Sequence, residues 1–319
     1  MVKSVTFGAS TKVAVATAPS TNDVRIIALL AISCWLLAVS LVLMASQSPV
    51  ADSSRPRAAP AGRAPEADSG IRKASRHQPP ANSSENRYRL RTVVLDAGHG
   101  GKDRGCAGAK AREADVALSL ILALGRLIEQ NQPDVKVIYT RKTDVFVELD
   151  ERAAIANRNH ADLFISIHCN AGPRQSHGTE VWTMGLHKTT ANLGVAQREN
   201  AVILQEKNYQ SRYDGFDPNS PQGHILFSLF QSAYITNSLR FAQRVDRQLR
   251  TAVARPSRGV KQAGFIVLWK SAMPSVLIES GFLTNPAEER YLNDKANQSY
   301  MAAGIYRAFC EYKRELEGG

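Results

Sequence analysis

The chain has 319 residues, of which 44% are apolar and 22% charged, and its formal net charge is +11 at pH 7. That is enough apolar material for a full core, although not all of it need belong to one domain. A positive surplus of this size is compatible with nucleic acid, an anionic lipid surface or an acidic polymer as a partner. Because neither zinc-finger spacing nor an aromatic-rich basic sheet accompanies the charge, we expect no nucleic acid partner.

The first predicted element is apolar. Residues 26–45 form a run of 20 residues without a charge, and a helix rising about 1.5 Å per residue would cross a hydrocarbon layer of roughly 30 Å. The segment is predicted to be a transmembrane anchor or a signal segment. The anchor is favoured because the run exceeds the roughly 7–15 apolar residues of a signal peptide and lacks a convincing cleavage site. Residues 1–25 would then be an N-terminal cytoplasmic segment.

Residues 46–89 are rich in proline, alanine, serine and arginine and almost devoid of large apolar side chains. Such a segment cannot bury enough surface to offset the entropy of ordering. We predict a disordered basic linker, whose charge is best explained as that of a solvated tether.

Residues 90–319 alternate short apolar runs with amphipathic helical stretches, which predicts an α/β domain. We expect a single twisted, mostly parallel sheet flanked by helices. Strands are predicted at 92–95, 135–139, 163–167 and 275–278, and helices at 113–129, 148–158, 228–253 and 298–316. An insert at about 185–228, with a helical stretch at 194–207, is not needed to build the sheet.

Polar residues follow three of the predicted strands. His99 lies between glycines after the first strand, His168 ends another, and Glu279 ends the last. Singly, such residues are more often structural histidines or surface glutamates, but the carboxyl ends of parallel strands meet at one edge of the sheet. Glu113, 14 residues after His99, can turn back over the same edge. Two histidines and a carboxylate are a frequent ligand set for catalytic zinc, with the fourth position left to water.

Five motifs occur in a fixed order between about Thr92 and Glu311: Asp96-Ala97-Gly98-His99-Gly100-Gly101, Arg112-Glu113-Ala114-Asp115-Val116, Thr140-Arg141 with Leu149-x-x-Arg152, Ile165-Ser166-Ile167-His168-Cys169-Asn170-Ala171 and Ile278-Glu279-Ser280-Gly281-Phe282. Together they resemble the zinc-dependent N-acetylmuramoyl-L-alanine amidases of the amidase 3 family. The resemblance implies that His99, Glu113 and His168 are the zinc ligands and that Glu279 is the catalytic carboxylate.

The activity implied by the resemblance is hydrolysis of the amide between N-acetylmuramic acid and L-alanine in peptidoglycan, during wall remodelling or daughter-cell separation. Zinc would lower the pKa of a bound water from 15.7 to about 7, and Glu279 would accept its proton and pass it to the departing amine. Two alternatives stay open: a non-catalytic wall-binding module, and a zinc peptidase cutting within the stem peptide. A wall substrate implies a periplasmic domain anchored to the inner membrane through residues 26–45, or exported if that segment is cleaved.

Two features depart from the family pattern or extend it. Cys106 and Cys169 are expected near the metal site. Three interpretations are open: accessory ligands, a disulfide and, the one that we favour, small buried side chains. The 185–228 insert resembles the regulatory helix of Gram-negative division amidases, which an activator protein displaces. Our hypothesis is an inhibitory lid with Glu199 or Glu206 as the blocking group; the alternative is a wall that positions substrate.

Overall fold

The computed structural model of the chain describes residues 88–223 and 234–318. The predicted segments 1–25 and 26–45 and nearly all of the 46–89 linker lie outside these ranges. Within them, no helix has the length and apolar character needed to span a bilayer.

The domain is built on a six-stranded sheet in the order β2-β1-β3-β6-β4-β5. Strands β1, β2, β3 and β6 are mutually parallel, whereas β4 runs antiparallel to β6 and parallel to β5. The strands are β1 Thr92–Ala97, β2 Lys136–Tyr139, β3 Leu163–Asn170, β4 Thr179–Met184, β5 Ser257–Ala263 and β6 Ser275–Phe282. The predicted mostly parallel sheet is confirmed.

Helices cover both faces of the sheet. They are α1 Glu113–Asn131, α2 Leu149–Arg158, α3 Thr190–Asn200, α4 Tyr209–Arg212, α5 Ile235–Thr251, α6 Ile266–Trp269, α7 Pro286–Asn293 and α8 Lys295–Leu316, with a 3₁₀ segment at Ala201–Gln205. Because side chains alternate along a strand, Val93 and Leu95 of β1 belong to the core under α1, α5 and α8. Val94 belongs to a second core, which α2, α6 and the insert cover.

Each predicted strand and helix has a counterpart, with boundaries that shift by a few residues. The helix expected at 228–253 is observed from Ile235, and residues 224–233 lie outside the described ranges. Strands β4 and β5 and helices α4, α6 and α7 were not predicted. In the insert, the predicted helical stretch 194–207 is observed as α3 followed by the 3₁₀ segment.

Candidate metal centre

Three side chains form a row across neighbouring strands at the carboxyl edge of the parallel sheet. His168 of β3 pairs in register with Glu279 of β6, and Glu279 pairs with Glu180 of β4. Paired residues project from the same face, and this is the face that the insert covers. The sheet therefore presents the row toward the insert.

His99 reaches the same place from a tight turn after β1. Its backbone has φ +57°, a left-handed conformation that non-glycine residues rarely adopt and that is concentrated at functional sites. Gly98 packs directly on the second histidine, since a Cβ there would lie 2.7 Å from Nδ1 of His168. The glycine next to His99 thus allows the two imidazoles to approach, with ring centroids 4.9 Å apart.

Two buried arginines hold this turn by its carbonyl oxygens. Arg152 donates to the oxygens of Ala97 and His99 at 2.6 and 2.9 Å and forms an ion pair with buried Asp96 at 2.8 Å. Arg141 donates to Ala97 at 3.0 Å and to Gly98 at 2.7 Å. The motif arginines therefore fix the backbone that presents His99.

Replacing Arg152 with methionine is expected to lower the free energy of unfolding by about 3–5 kcal/mol, because it leaves the Asp96 carboxylate buried without its cation. Denaturant titration measures the change. The matched control is Arg158→Met on the same helix, where the cation is 58% exposed and pairs with the exposed Glu151. An equally small effect of both substitutions would contradict this role of Arg152.

Four buried groups converge where the sequence predicts the metal. Nε2 of His99 lies 3.0 Å from Oε1 of Glu113 and 3.2 Å from Oε2 of Glu199, and Nδ1 of His168 lies 3.0 Å from each of the same two oxygens. Ligands of a tetrahedral ion with bonds of about 2.0 Å stand roughly 3.3 Å apart. These spacings fit the coordination shell of a zinc ion.

The hydrogen bonding of this cluster is incomplete without a cation. Nε2 of His99 and Oε2 of Glu199 are buried and make no hydrogen bond within the described part of the chain, although they lie close together. Buried polar atoms normally have partners, and a cation between these atoms would supply one to both. The donor set of two imidazoles and two carboxylates suits Zn²⁺.

Charge is concentrated at the cluster. Burial by itself lowers the pKa of His168, but its close contacts with the Glu113 and Glu199 carboxylates raise it to about 9. Burial raises the pKa of Glu113, yet the charge of His99 and the contacts with both histidines bring it down to about 2. The protein thus holds ionised carboxylates in a dry site, where a bound cation would replace the imidazole protons that balance their charge.

The sequence analysis missed Asp103 as a member of the site. Its carboxylate lies 2.7 Å from Nδ1 of His99, the ring nitrogen turned away from the cluster, and accepts the Gly105 N–H at 3.1 Å. A carboxylate behind a metal-binding histidine fixes its tautomer and orientation. The sequence signal for this role was an aspartate four residues after a histidine that lies between glycines.

Glu279 is fully buried beside the cluster, and neither of its carboxylate oxygens has a hydrogen-bond partner among residues 88–223 and 234–318. Burial, reinforced by the negative charges of Glu199 and Glu113, raises its pKa well above the usual carboxyl range. Nη2 of Arg198 in α3 forms a long ion pair with Oε1 of Glu279, at 3.9 Å. A buried carboxyl of raised pKa that accepts no hydrogen bond is suited to proton transfer.

The two glutamates of the insert have different places. Glu199 of α3 is the fourth member of the metal cluster. Glu206 does not reach it: its carboxylate accepts the Leu149 N–H at the start of α2, at 2.8 Å, and the Tyr213 hydroxyl at 2.6 Å. Glu206 thus caps α2 and seats the insert on the domain.

Both cysteines near the site are free thiols. Cys169 is buried in the core on the opposite face of the sheet, and the half-buried Cys106 donates to the Cys169 carbonyl oxygen at 3.0 Å. Neither belongs to the metal cluster found among residues 88–223 and 234–318. This agrees with their interpretation as small packed side chains.

Two histidines and two glutamates that could hold a metal ion lie beside a separate buried carboxyl at one edge of an α/β sheet, an arrangement typical of metal-dependent hydrolases. Residues 93–311 match the family model Amidase_3, described as N-acetylmuramoyl-L-alanine amidase. The chain belongs to this family, as its motifs predicted.

Individual relatives agree with the family match. The chain is 35% identical over 243 residues to N-acetylmuramoyl-L-alanine amidase AmiC of Escherichia coli O6:H1, covering 73% of this chain but only 57% of AmiC. It is 31% identical over 228 residues to AmiA of Escherichia coli K12, covering 70% of this chain and 76% of AmiA. The crystal structure of an N-acetylmuramoyl-L-alanine amidase from Clostridium difficile 630 has a TM-score of 0.53 at 28% identity, covering 70% of this chain and 97% of that one.

Proposed function

We propose that this chain hydrolyses the amide bond between N-acetylmuramic acid and L-alanine in peptidoglycan, with zinc as its cofactor. The observation that carries the proposal is the buried Glu279 carboxyl, which accepts no hydrogen bond from the described residues, beside a four-group cluster with the spacings of a zinc shell. Membership of the amidase family indicates which bond is cut and in which substrate.

In this proposal His99, Glu113 and His168 hold the metal in the active state. Bound zinc would polarise the scissile carbonyl and make water acidic enough to attack near neutral pH. Glu279 accepts the proton of the attacking water and returns it to the departing amine of L-alanine. Asp103 keeps the His99 ring in position, and Arg141 and Arg152 hold the turn that carries it.

Digestion of purified peptidoglycan by the full chain, with and without a zinc chelator, tests the reaction and the cofactor together. Chelator-sensitive release of intact stem peptides that begin at L-alanine is expected, with activity restored by added zinc. Cuts within the stem peptide would establish a zinc peptidase instead. Binding to the wall without any release, also after the insert is opened as described below, would establish a non-catalytic module.

We further propose that the insert at 185–228 is an inhibitory lid, with Glu199 as its blocking group. Support comes from the Glu199 carboxylate, which occupies the position that substrate and water would need. Arg212 of the insert pairs with Glu148 and with Asp150, the latter at 2.6 Å, and so holds the closed arrangement beside Glu206. An activator protein acting on the insert would have to release these contacts.

The proposed location is the periplasm, with the domain tethered to the inner membrane through residues 26–45 and the 46–89 linker. It is supported by the wall substrate and by the uncharged run in the sequence. A reporter enzyme fused after Gly319 tests the topology: activity on the periplasmic side is expected, and activity in the cytoplasm would refute it.

A further inference from the structure

We propose that Arg258 and Lys261 of edge strand β5 form a carboxylate-binding subsite that selects acidic leaving peptides. The inference rests on the proposed amidase function and adds a specificity element to it. The subsite lies at the Glu180 end of the row formed by His168, Glu279 and Glu180, which is the end farthest from the metal cluster.

The two cations extend the row that begins at the metal. Nε of Arg258 and Nζ of Lys261 both lie 2.7 Å from the same oxygen, Oε1, of Glu180. Oε2 of Glu180 accepts the Asn170 side-chain amide at 3.0 Å. Glu180 is in turn the register partner of Glu279. Glu180 therefore stands between the two cations, Arg258 and Lys261, and the proposed catalytic carboxyl of Glu279.

Positive charge exceeds negative charge at this point. One buried carboxylate, 3% exposed, faces two cations, of which Arg258 is 43% exposed and Lys261 22% exposed. Within residues 88–223 and 234–318, Arg258 donates its hydrogen bond to Glu180 through Nε alone. Its terminal nitrogens are thus available to a ligand, in the fork geometry that matches a carboxylate.

Aromatic rings hold the two side chains in place. The guanidinium of Arg258 lies 5.2 Å from the centre of the Phe282 ring, and Nζ of Lys261 lies 5.2 Å from the Trp182 ring. Such contacts stabilise a cation and limit its motion. A ligand would meet charges that are already ordered, which lowers the entropy cost of binding.

The distance along the sheet indicates which group of the substrate is recognised. The backbones of β5 and β6, two positions apart in the sheet, are separated by roughly 10 Å. Both cations reach back to Glu180 on the strand between them, so their charged groups lie roughly 5–10 Å from Glu279. An extended peptide advances about 3.3 Å per residue. A carboxylate two to three residues beyond the scissile amide would therefore reach the pair, whereas the sugar side of that bond carries no acid.

The test uses two muramoyl tripeptides that differ only in whether the carboxylates of the second and third residues are free or amidated. In the zinc-loaded full chain carrying Glu199→Ala, we expect kcat/KM to favour the free acid by about 10- to 100-fold. Arg258→Gln should remove most of this preference by lowering kcat/KM for the acid substrate alone. Lys261 still pairs with Glu180 in that variant, so the fold is retained.

Arg158→Gln on α2 is the matched control, because it removes the same charge far from the row and should leave the preference unchanged. Equal kcat/KM for the two substrates, or a preference that survives Arg258→Gln, would overturn the proposal. If neither substrate is cleaved at the muramoyl amide, the proposed function fails instead. Calorimetric binding of the free and amidated peptides then decides the subsite: equal affinity overturns it, and acid-selective binding lost in Arg258→Gln supports it.

Discussion

Replacing Glu279 with glutamine is expected to lower the rate of peptidoglycan hydrolysis by about 10²- to 10⁴-fold, the usual contribution of a positioned acid or base. Glutamine keeps the shape of the side chain but cannot accept the proton. Binding of the chain to insoluble peptidoglycan should persist, as measured by co-sedimentation. Unchanged digestion would show that Glu279 is not the catalytic carboxyl.

Stability gives a second signature of the same substitution. Folding raises the pKa of Glu279 above its ordinary value of 4.5, so the parent chain without metal loses stability as pH rises from that value through the raised pKa. Glutamine carries no such cost, and the variant should be at least as stable at neutral pH by thermal unfolding. Glu151→Gln, at an exposed pair on α2, controls for the loss of a carboxylate. A destabilised Glu279→Gln chain would contradict the absence of hydrogen-bond partners.

Replacing Glu199 with alanine is expected to raise basal hydrolysis by the chain without an activator by about 10- to 100-fold. The reason is the loss of one charge-assisted contact that favours the closed insert, worth about 1.5–3 kcal/mol. The initial rate of dye release from labelled peptidoglycan measures the effect. A single substitution is preferable to removing the insert, because Val202, Ile203 and Tyr213 are buried against the sheet and their loss would expose the core.

Asp217→Ala is the matched control, since this exposed carboxylate lies in the same insert and caps only a local turn through the Asn219 N–H. It should leave basal hydrolysis unchanged. If Glu199→Ala is folded, binds zinc and hydrolyses no faster than the parent chain, the insert is a substrate-positioning wall and not a lid.

The strands that sequence analysis missed have a physical reason. Strand β5 reads Ser-Arg-Gly-Val-Lys-Gln-Ala, and an edge strand with one neighbour and partial exposure needs no apolar run. Strand β4 is fully buried, but its polar and apolar residues are mixed, because Glu180 is compensated by cations from β5 that are distant in sequence. The parallel strands β1, β3 and β6 were predictable because burial on both faces requires continuous apolar runs, and the partly exposed edge strand β2 was predictable from its short apolar run Val-Ile-Tyr.

The site was predictable for the residues that follow apolar strands and less so for the rest. His99, His168 and Glu279 end such strands, and Glu113 begins the next helix; all four are found together. Glu199 and Glu206 could not be separated by sequence, because both lie in one polar helical stretch and only packing decides which faces the metal cluster. Arg258 and Lys261 of the proposed subsite were not predicted, because the strand that carries them, β5, was not predicted.

In the proposed lid, the place of Glu199 in the cluster would also link inhibition to metal retention. A closed chain would hold its ion with four protein groups and an open chain with three, so displacing the insert must weaken the hold on the ion. By thermodynamic reciprocity, scarcity of the ion favours opening to the same degree that opening favours its loss. An activated molecule would then be the one most exposed to competing chelators, and the dormant population would serve as a reservoir of loaded enzyme.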